Sequence, residues 1–163
     1  MATATIFAGT NDGYLDTLPL GLNYTIVRLG PAGAATTADL TDYHGDGTNA
    51  GVSINNDSTY QQFDLSGIPA GSTVSAAELS EWGDADGSVE NFVSQARGHF
   101  DYGATLTIAD FQTGDQFAAL TLLATFAVSG WTLGAYNVYT ENGTSFRSAV
   151  EAQAGGTLGI ILD

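Results

Sequence analysis

The sequence contains no cysteine, no lysine and very little arginine. Only 3 basic residues stand against 18 Asp and Glu, which gives the 163-residue chain a net charge of −15. Without cysteine, disulfide bonds, thiolate nucleophiles and thiolate metal ligands are excluded. Without a basic cluster the chain cannot neutralise phosphates, so we expect no nucleic acid partner. The acidic surface favours solubility and suits a basic protein surface or divalent cations.

Long apolar runs are also absent. No stretch approaches the roughly 20 consecutive apolar residues that a membrane-spanning helix requires, so we expect no membrane partner. The chain is nevertheless 44% hydrophobic and only 13% charged, which is typical of a folded protein rather than a disordered one. Its length predicts a single domain covering residues 1–163.

The clearest local pattern is a strand, turn and strand over residues 60–82. The first strand ends at Leu65, and the turn at residues 66–71 contains proline and glycine. Proline presets one backbone angle of a turn, and glycine supplies the others. A second strand is predicted from Thr73, with one face buried.

The residues before this unit contain further strand patterns and a long irregular segment. Thr alternates with apolar residues over residues 3–8, and residues 24–29 are β-branched and aromatic, so both predict strands. Residues 34–57 are dense in Gly, Asp, Asn and Thr. They predict a long loop or arm that is interrupted only by a short strand at residues 52–54.

The C-terminal half contains both helical and strand patterns. A helical turn is predicted at residues 107–111 with Thr107 as its cap, followed by a loop that extends to Ala119. One short helix is capped by Asn142 or Thr144 and closed by two glycines at positions 155 and 156. Strands are predicted at residues 88–100, 120–128, 131–139 and 157–162.

Together these elements predict an all-β fold. About eight short strands, many turns and one short helix near the C-terminus are typical of an antiparallel β-sandwich, and a jelly roll suits this length. An immunoglobulin-like sandwich is the alternative. It is less favoured because the sequence lacks the Cys-Trp-Cys marker of that fold.

Residues 63–79, FDLSGIPAGSTVSAAEL, resemble the signature of the DNRLRE-type jelly-roll modules. Those modules are similar to carbohydrate-binding modules and occur in phage structural proteins and bacterial surface proteins. The chain has Gln61-Gln62 where the family commonly has Leu-Arg, and residues 80–82 are Ser-Glu-Trp where the family continues with an apolar or basic strand. The resemblance implies the jelly-roll fold and implies no particular ligand, because a fold does not determine function.

No pattern of catalytic residues stands out. His44 and His99 are the only histidines, and the Gly-x-Ser-x-Gly elbow of many hydrolases is absent. Asp84 and Asp86 could form a pair of catalytic carboxylates, but their Gly-rich surroundings favour a turn. We therefore expect that the protein is not an enzyme.

One segment has a weak likeness to a metal-binding loop. Asp42, His44 and Asp46 alternate before Gly47, as oxygen ligands do at the start of a calcium loop. Ser53 stands where such a loop ends in Glu. We expect no cofactor, and calcium bound by these residues is the alternative to a hydrated surface loop.

Aromatic side chains offer a second kind of candidate site. Sugar rings stack on Trp and Tyr, and Trp82, Trp131, Tyr136 and Tyr139 are the candidate platforms. A domain of this size also needs large residues in its core and its subunit interfaces, so each aromatic has that alternative role.

Two hypotheses of function follow from these patterns and the resemblance. The first is a non-enzymatic structural protein on the virion surface of a tailed phage or phage-like particle, as a capsid decoration, head-spike or fibre module. It would assemble as a homo-oligomer such as a trimer and contact the major capsid protein or other virion proteins. The second is an extracellular carbohydrate-binding or adhesin module that uses surface aromatics on cell-surface glycans, with calcium as an assisting ion.

Overall fold

The fold is organised by its last strand, which pairs with a neighbour on each side. The computed structural model describes residues 3–8, 13–17, 32–36, 45–49, 53–83 and 92–162. Within these ranges every strand pairing is antiparallel. The strands are β1 (Gly13–Thr17), β2 (Ala32–Thr36), β3 (Gly45–Asn49), β4 (Ser53–Asp64), β5 (Ser80–Trp82), β6 (Val93–Gly98), β7 (Thr121–Ala127), β8 (Tyr136–Val138), β9 (Thr140–Glu141) and β10 (Thr157–Leu162).

Eight of these strands form one sheet. Its order is β2-β1-β4-β10-β6-β7-β9, and β3 also pairs with β4. In β10, Ile160 lies opposite Gln61 of β4, and Ile161 lies opposite Arg97 of β6. The other two strands, β5 and β8, pair in a separate two-stranded sheet. These pairings confirm the prediction of an all-β antiparallel fold and of a terminal strand at residues 157–162.

The N-terminal part of the sheet is built on the 12 residues of β4. They pair with β3 through residues 53–57, with β1 through residues 57–60 and with β10 through residues 59–64. The loop or arm predicted at 34–57 is therefore wrong for residues 34–36, 45–49 and 55–57, which belong to β2, β3 and β4, while residues 53–54 of β4 agree with the short strand predicted at 52–54. Gly, Asp and Asn lower β-propensity, but they still pair when a neighbouring strand supplies the backbone hydrogen bonds.

Both faces of β10 are covered. Leu158, Ile160 and Leu162 of β10 belong to one core cluster and Ile161 belongs to a second, and none of the four is more than 1% exposed. Side chains alternate along a strand, so the two clusters lie on opposite faces of the sheet. The first cluster also contains Leu65, Leu79, Ala96, Leu123, Ala124, Tyr139 and Phe146, and the second contains Tyr60, Tyr102, Leu106 and Phe117.

Two α-helices occur among the described residues, α1 (Gly114–Ala119) and α2 (Ser145–Ala152). The short helix predicted near the C-terminus is confirmed by α2. In α1, the Thr113 side chain accepts from Gln116 N while the Gln116 side chain accepts from Thr113 N. The loop predicted up to Ala119 is wrong because this reciprocal capping pair starts a helix there. The helical turn predicted near Thr107 corresponds to the 3₁₀ helix Ile108–Asp110.

The predicted turn after β4 is confirmed. Ile68 N donates to Leu65 O at 2.9 Å, and Ser72 N donates to Pro69 O at 3.1 Å. Gly71 has a φ of 79°, which side chains other than that of glycine rarely allow.

The strand predicted after this turn is wrong over residues 73–79, because no strand pairing begins before β5 at Ser80. The backbone of the segment bonds instead to side chains of α2. Val74 N donates to Glu151 Oε2 at 2.9 Å, and Arg147 Nη1 donates to Ser75 O at 3.2 Å. The backbone at Val74 and Ser75 is therefore held by side chains of α2 rather than by a paired strand.

The other strand predictions have mixed outcomes. The strand predicted at 88–100 contains β6, and the strand predicted at 120–128 contains β7. The strand predicted at 131–139 contains only β8, because a 3₁₀ helix at Val128–Gly130 and a turn precede β8. Residues 3–8 are not a regular strand and make one bridge, between Ala8 and Phe63. The predicted strand at 24–29 lies outside the described residues.

The backbone after β6 crosses β10 very closely at Gly159. Gly159 N donates to His99 Nδ1 at 3.0 Å, and Phe100 N donates to Gly159 O at 3.2 Å. A Cβ atom at position 159 would overlap Phe100 O. Only glycine permits this contact between the covering segment and the central strand.

We expect Gly159→Ala to lower the free energy of unfolding by about 3 kcal/mol, because the added methyl group forces two backbones apart. Gly67→Ala is the matched control, because a Cβ there has no atom within 4 Å. Its expected effect is within about 0.5 kcal/mol. Urea unfolding followed by tryptophan fluorescence measures both variants. Equal stabilities of the two variants would contradict the close packing at Gly159.

The turn after β4 also predicts a dependence of stability on pH. Asp64 Oδ1 accepts from Ser66 N at 2.9 Å. This backbone bond, together with the Ser66 hydroxyl, holds the pKa of Asp64 below its ordinary value. A lowered folded-state pKa stabilises the fold above the unfolded pKa of about 4, and the stabilisation is lost as the pH falls through the folded pKa.

Asp64→Ala is therefore expected to lower the melting temperature at about pH 7 and to change it much less at about pH 2. Thermal unfolding of both proteins at the two pH values provides the comparison. A difference between the proteins that does not shrink in acid would be inconsistent with this role of the carboxylate.

Candidate functional site

The small sheet formed by β5 and β8 separates polar from apolar side chains. Its register places Ser80 opposite Val138, Glu81 opposite Asn137 and Trp82 opposite Tyr136. Because side chains alternate along a strand, the central pair lies on one face and the two outer pairs lie on the other. We refer to the side chains of Ser80, Trp82, Tyr136 and Val138 as the aromatic face.

The aromatic face exposes large apolar side chains to solvent. Trp82 is 54% exposed, Tyr136 60% and Val138 46%. The two rings pack edge to face, with centroids 5.1 Å apart and planes at 76°. Cross-strand aromatic pairs stabilise a sheet, so the two rings also fix each other's position. The result is a preformed apolar surface on a pair of short strands.

The opposite side of β5 is anchored to the large sheet through Glu81. Glu81 Oε1 accepts from Gln61 Nε2 at 3.1 Å, and Glu81 Oε2 accepts from the Tyr139 hydroxyl at 2.9 Å. The Tyr139 hydroxyl also lies 3.0 Å from Ser94 Oγ, and both residues are buried. Hydrogen bonds to a carboxylate are stronger than neutral ones, so this chain of contacts holds β5 in a defined position.

The opposite side of β8 is anchored through Asn137, which is 4% exposed. Its Oδ1 accepts from Thr132 N at 2.8 Å, and its Nδ2 donates to Thr132 O at 3.1 Å and to Ala135 O at 3.3 Å. Gly83 lies against the same turn, where a Cβ would overlap Thr132 O. The turn before β8 is thus packed against the end of β5, which fixes the two strands that carry the aromatic face.

The structure brings two of the four predicted aromatic residues together. Trp82 and Tyr136 form the exposed pair. Trp131 is half-buried and packs edge to face on Phe126, with centroids 5.8 Å apart. Tyr139 is 3% exposed and lies in the core, so it is not a surface platform for a sugar ring.

The predicted metal ligands do not form a described site. Asp42 and His44 lie outside the described residues, and the backbone of Asp46 pairs with that of Asn56 in the β3–β4 hairpin. Among the described residues, no group of three or more His, Cys, Asp or Glu side chains is arranged to hold a metal ion. Calcium binding at residues 42–46 stays a prediction.

Sequence reasoning missed the contributions of Ser80, Glu81 and Val138. The alternation of Tyr136, Asn137 and Val138 is a signal that could have identified the exposed and buried sides of β8. No comparable signal marks Glu81, because its partners Gln61 and Tyr139 are distant in the chain.

The chemistry available at the aromatic face is mainly apolar contact. Apart from the hydroxyls of Ser80 and Tyr136 on the face itself, the nearest polar side chains in register are Glu81 and Asn137, which already hydrogen bond within the protein. The face can therefore bury apolar surface against a ligand or a protein with few directional polar contacts. In the described part of the chain, no helix has the length and hydropathy needed to cross a membrane.

No protein-family model, curated protein or solved structure matches the chain significantly. The resemblance of residues 63–79 to the DNRLRE-type modules therefore stays a prediction.

Tyr139→Phe tests whether the buried hydroxyl anchors this face. Losing a donor to the Glu81 carboxylate is expected to lower the free energy of unfolding by about 1–2 kcal/mol. For a chain of this size, that corresponds to a fall in melting temperature of about 3–6 °C. Tyr136→Phe removes an exposed hydroxyl from the neighbouring strand and is expected to change stability by less than about 0.5 kcal/mol. Thermal unfolding that ranks Tyr136→Phe as the more damaging change would exclude the anchoring role.

Proposed function

We propose that this protein is a non-enzymatic structural component of the virion surface of a tailed phage or phage-like particle. It would serve there as a capsid decoration, head-spike or fibre module with a jelly-roll β-sandwich fold. Its main support is the aromatic face, a rigid and solvent-exposed apolar surface on a dedicated pair of strands. Exposed apolar surfaces of this kind commonly mark protein interaction sites.

Two features of the aromatic face favour a protein partner over a sugar. Sugar recognition needs several polar side chains beside the stacking ring; Ser80 is the one small polar residue of the face, and Glu81 and Asn137 are bonded inside the protein. The edge-to-face arrangement of Trp82 and Tyr136 also prevents the two rings from forming one flat platform. Burial of these side chains against a complementary apolar surface uses both rings fully.

The charge of the chain indicates what kind of surface the partner has. With a net charge of −15, identical copies repel one another at low ionic strength. A shell protein with an apolar patch would complement the exposed side chains of the aromatic face, and a basic rim around that patch would complement the negative charge of the chain. The shell of the particle would therefore contact the aromatic face. Homo-oligomers such as a trimer would form through other surfaces, including residues 34–57.

A carbohydrate-binding or adhesin function is the second candidate. It is favoured by the exposure of Trp82 and Tyr136, since either ring alone could stack on a sugar. A glycan array distinguishes the two functions. Glycan binding that is lost in Trp82→Ala would support this second candidate and weigh against the first.

The double variant Trp82→Ala, Tyr136→Ala tests the assembly function. Particles purified from the source that encodes this chain, lacking this protein, are mixed with the variant and sedimented. We expect at least a 100-fold loss of particle binding, because each buried aromatic at an interface typically contributes about 2 kcal/mol or more. Phe7→Ala is the matched control, because Phe7 is an exposed aromatic, at 73%, on the N-terminal segment. Its binding should equal that of the unmodified protein.

Light scattering after size exclusion, at low and high salt, reports self-association in the same proteins. Self-association that becomes stronger as salt is added, and that is the same in the double variant, agrees with the proposal. A monomer at all salt concentrations with no affinity for any particle contradicts it.

A further inference from the structure

A separate cleft lies between α2 and the large sheet, with a volume of about 390 Å³. Residues at the end of β6 and the start of β7 form one wall, and α2 with the residues flanking it forms the other. Ala149 and Ala152 contribute apolar surface, and Leu123, which is 1% exposed, lies beneath them in the core. Volumes of about 300–1,000 Å³ are usual for sites that bind small molecules.

The polar lining of this cleft is neutral and rich in hydroxyl groups. No Lys, Arg, Asp or Glu lines it. The polar residues that do are Thr121, Thr144, Ser145, Ser148, Gln153 and His99.

The hydroxyl of Thr144 is available because another residue caps α2. Thr144 is the N-cap residue, but its side chain makes no capping hydrogen bond. Glu141 Oε1 instead accepts from Arg147 N at 2.9 Å, which is the bond that an N-cap side chain usually makes. The Glu141 carboxylate also satisfies the positive end of the helix dipole, so that end is already neutralised.

His99 lines the cleft and uses one of its two ring nitrogens within the protein. Its Nδ1 accepts from Gly159 N at 3.0 Å. Nε2 is the ring nitrogen that this bond leaves over, and hydroxyl groups such as those of α2 both donate and accept.

We propose that this cleft binds a neutral, polyhydroxylated small molecule of about the size of a monosaccharide. Anions are disfavoured because the lining has no basic side chain and the chain carries a net charge of −15. Divalent cations are disfavoured because the lining offers one imidazole and no carboxylate. Sugar hydroxyls match the neutral donors and acceptors, and sugar C–H groups match Ala149 and Ala152. This site is independent of the aromatic face and goes beyond the assembly function.

Titration of the full-length protein with single sugars, followed by amide chemical shifts in NMR spectra, tests the proposal. The probes are glucose, galactose, mannose and N-acetylglucosamine, with inorganic phosphate as the anion. We expect at least one sugar to bind with a dissociation constant of about 1 mM, as is usual for a ligand of about a dozen heavy atoms. The shifted amides should belong to residues 98–99, 121–123 and 144–153.

Variants identify the contacts that this binding uses. Ser148→Ala and His99→Ala are each expected to weaken binding about 3- to 10-fold, the usual effect of losing one neutral hydrogen bond. Ser129→Ala is the matched control, because Ser129 is exposed on the Val128–Gly130 turn and does not line the cleft. Its affinity should be unchanged. Amide spectra of each free variant verify the fold.

Three results would overturn the proposal. One is the absence of shifts with every sugar at concentrations about tenfold above the expected dissociation constant. Another is binding of phosphate in place of the sugars. The third is a set of shifts confined to residues 80–82 and 136–138, which would assign the sugar to the aromatic face.

Discussion

The fold is held together by the pairing of β10 on both of its edges. This strand pairs with β4 on one side and β6 on the other, so it joins the two halves of the large sheet. Leu158, Ile160, Ile161 and Leu162 are almost completely buried, and each contributes about 2 kcal/mol through removal of apolar surface from water. Gly159 between them lets the backbone at Phe100 lie directly on the strand. Both core clusters therefore share a single strand, and a change in its register would expose one set of side chains and bury another.

The aromatic face depends on this core through polar contacts. Its exposed rings lie on short strands that would be unstable alone, since two-stranded sheets are marginal in water. Glu81 and Asn137 stabilise these strands from the inner side, through Gln61 and Tyr139 and through the backbone of the turn that contains Thr132. Polar side chains thus serve the interior while apolar ones face solvent, the reverse of the usual arrangement for a surface strand. That reversal is the physical reason to infer a binding surface there.

The aromatic face and the cleft beside α2 have different chemistry. The aromatic face offers apolar contact with its neighbouring polar groups already bonded, which suits a large partner. The cleft offers neutral hydroxyl groups around apolar surface, because the Glu141 carboxylate performs the capping that Thr144 could have done. Because Glu141 caps α2 in place of Thr144, the Thr144 hydroxyl is left for a ligand in the cleft.

Elements with local signals could be predicted from the sequence. The turn after Leu65, the short helix before Gly155 and the apolar terminal strand were predicted correctly, because turn chemistry, helical periodicity and continuous apolar runs act over a few residues. The side-chain cap predicted for that helix, from Asn142 or Thr144, was wrong, because the Glu141 carboxylate caps it. The tertiary structure alone decided the fate of residues 73–79, whose backbone bonds to α2 instead of a strand, and the pairing of β3 within the predicted loop. It also decided which predicted aromatics became surface and which became core, since the burial of Tyr139 and the exposure of Tyr136 depend on partners far away in the chain. Long-range contacts carry no local pattern, so the candidate site could be predicted only in its residue types and not in its arrangement.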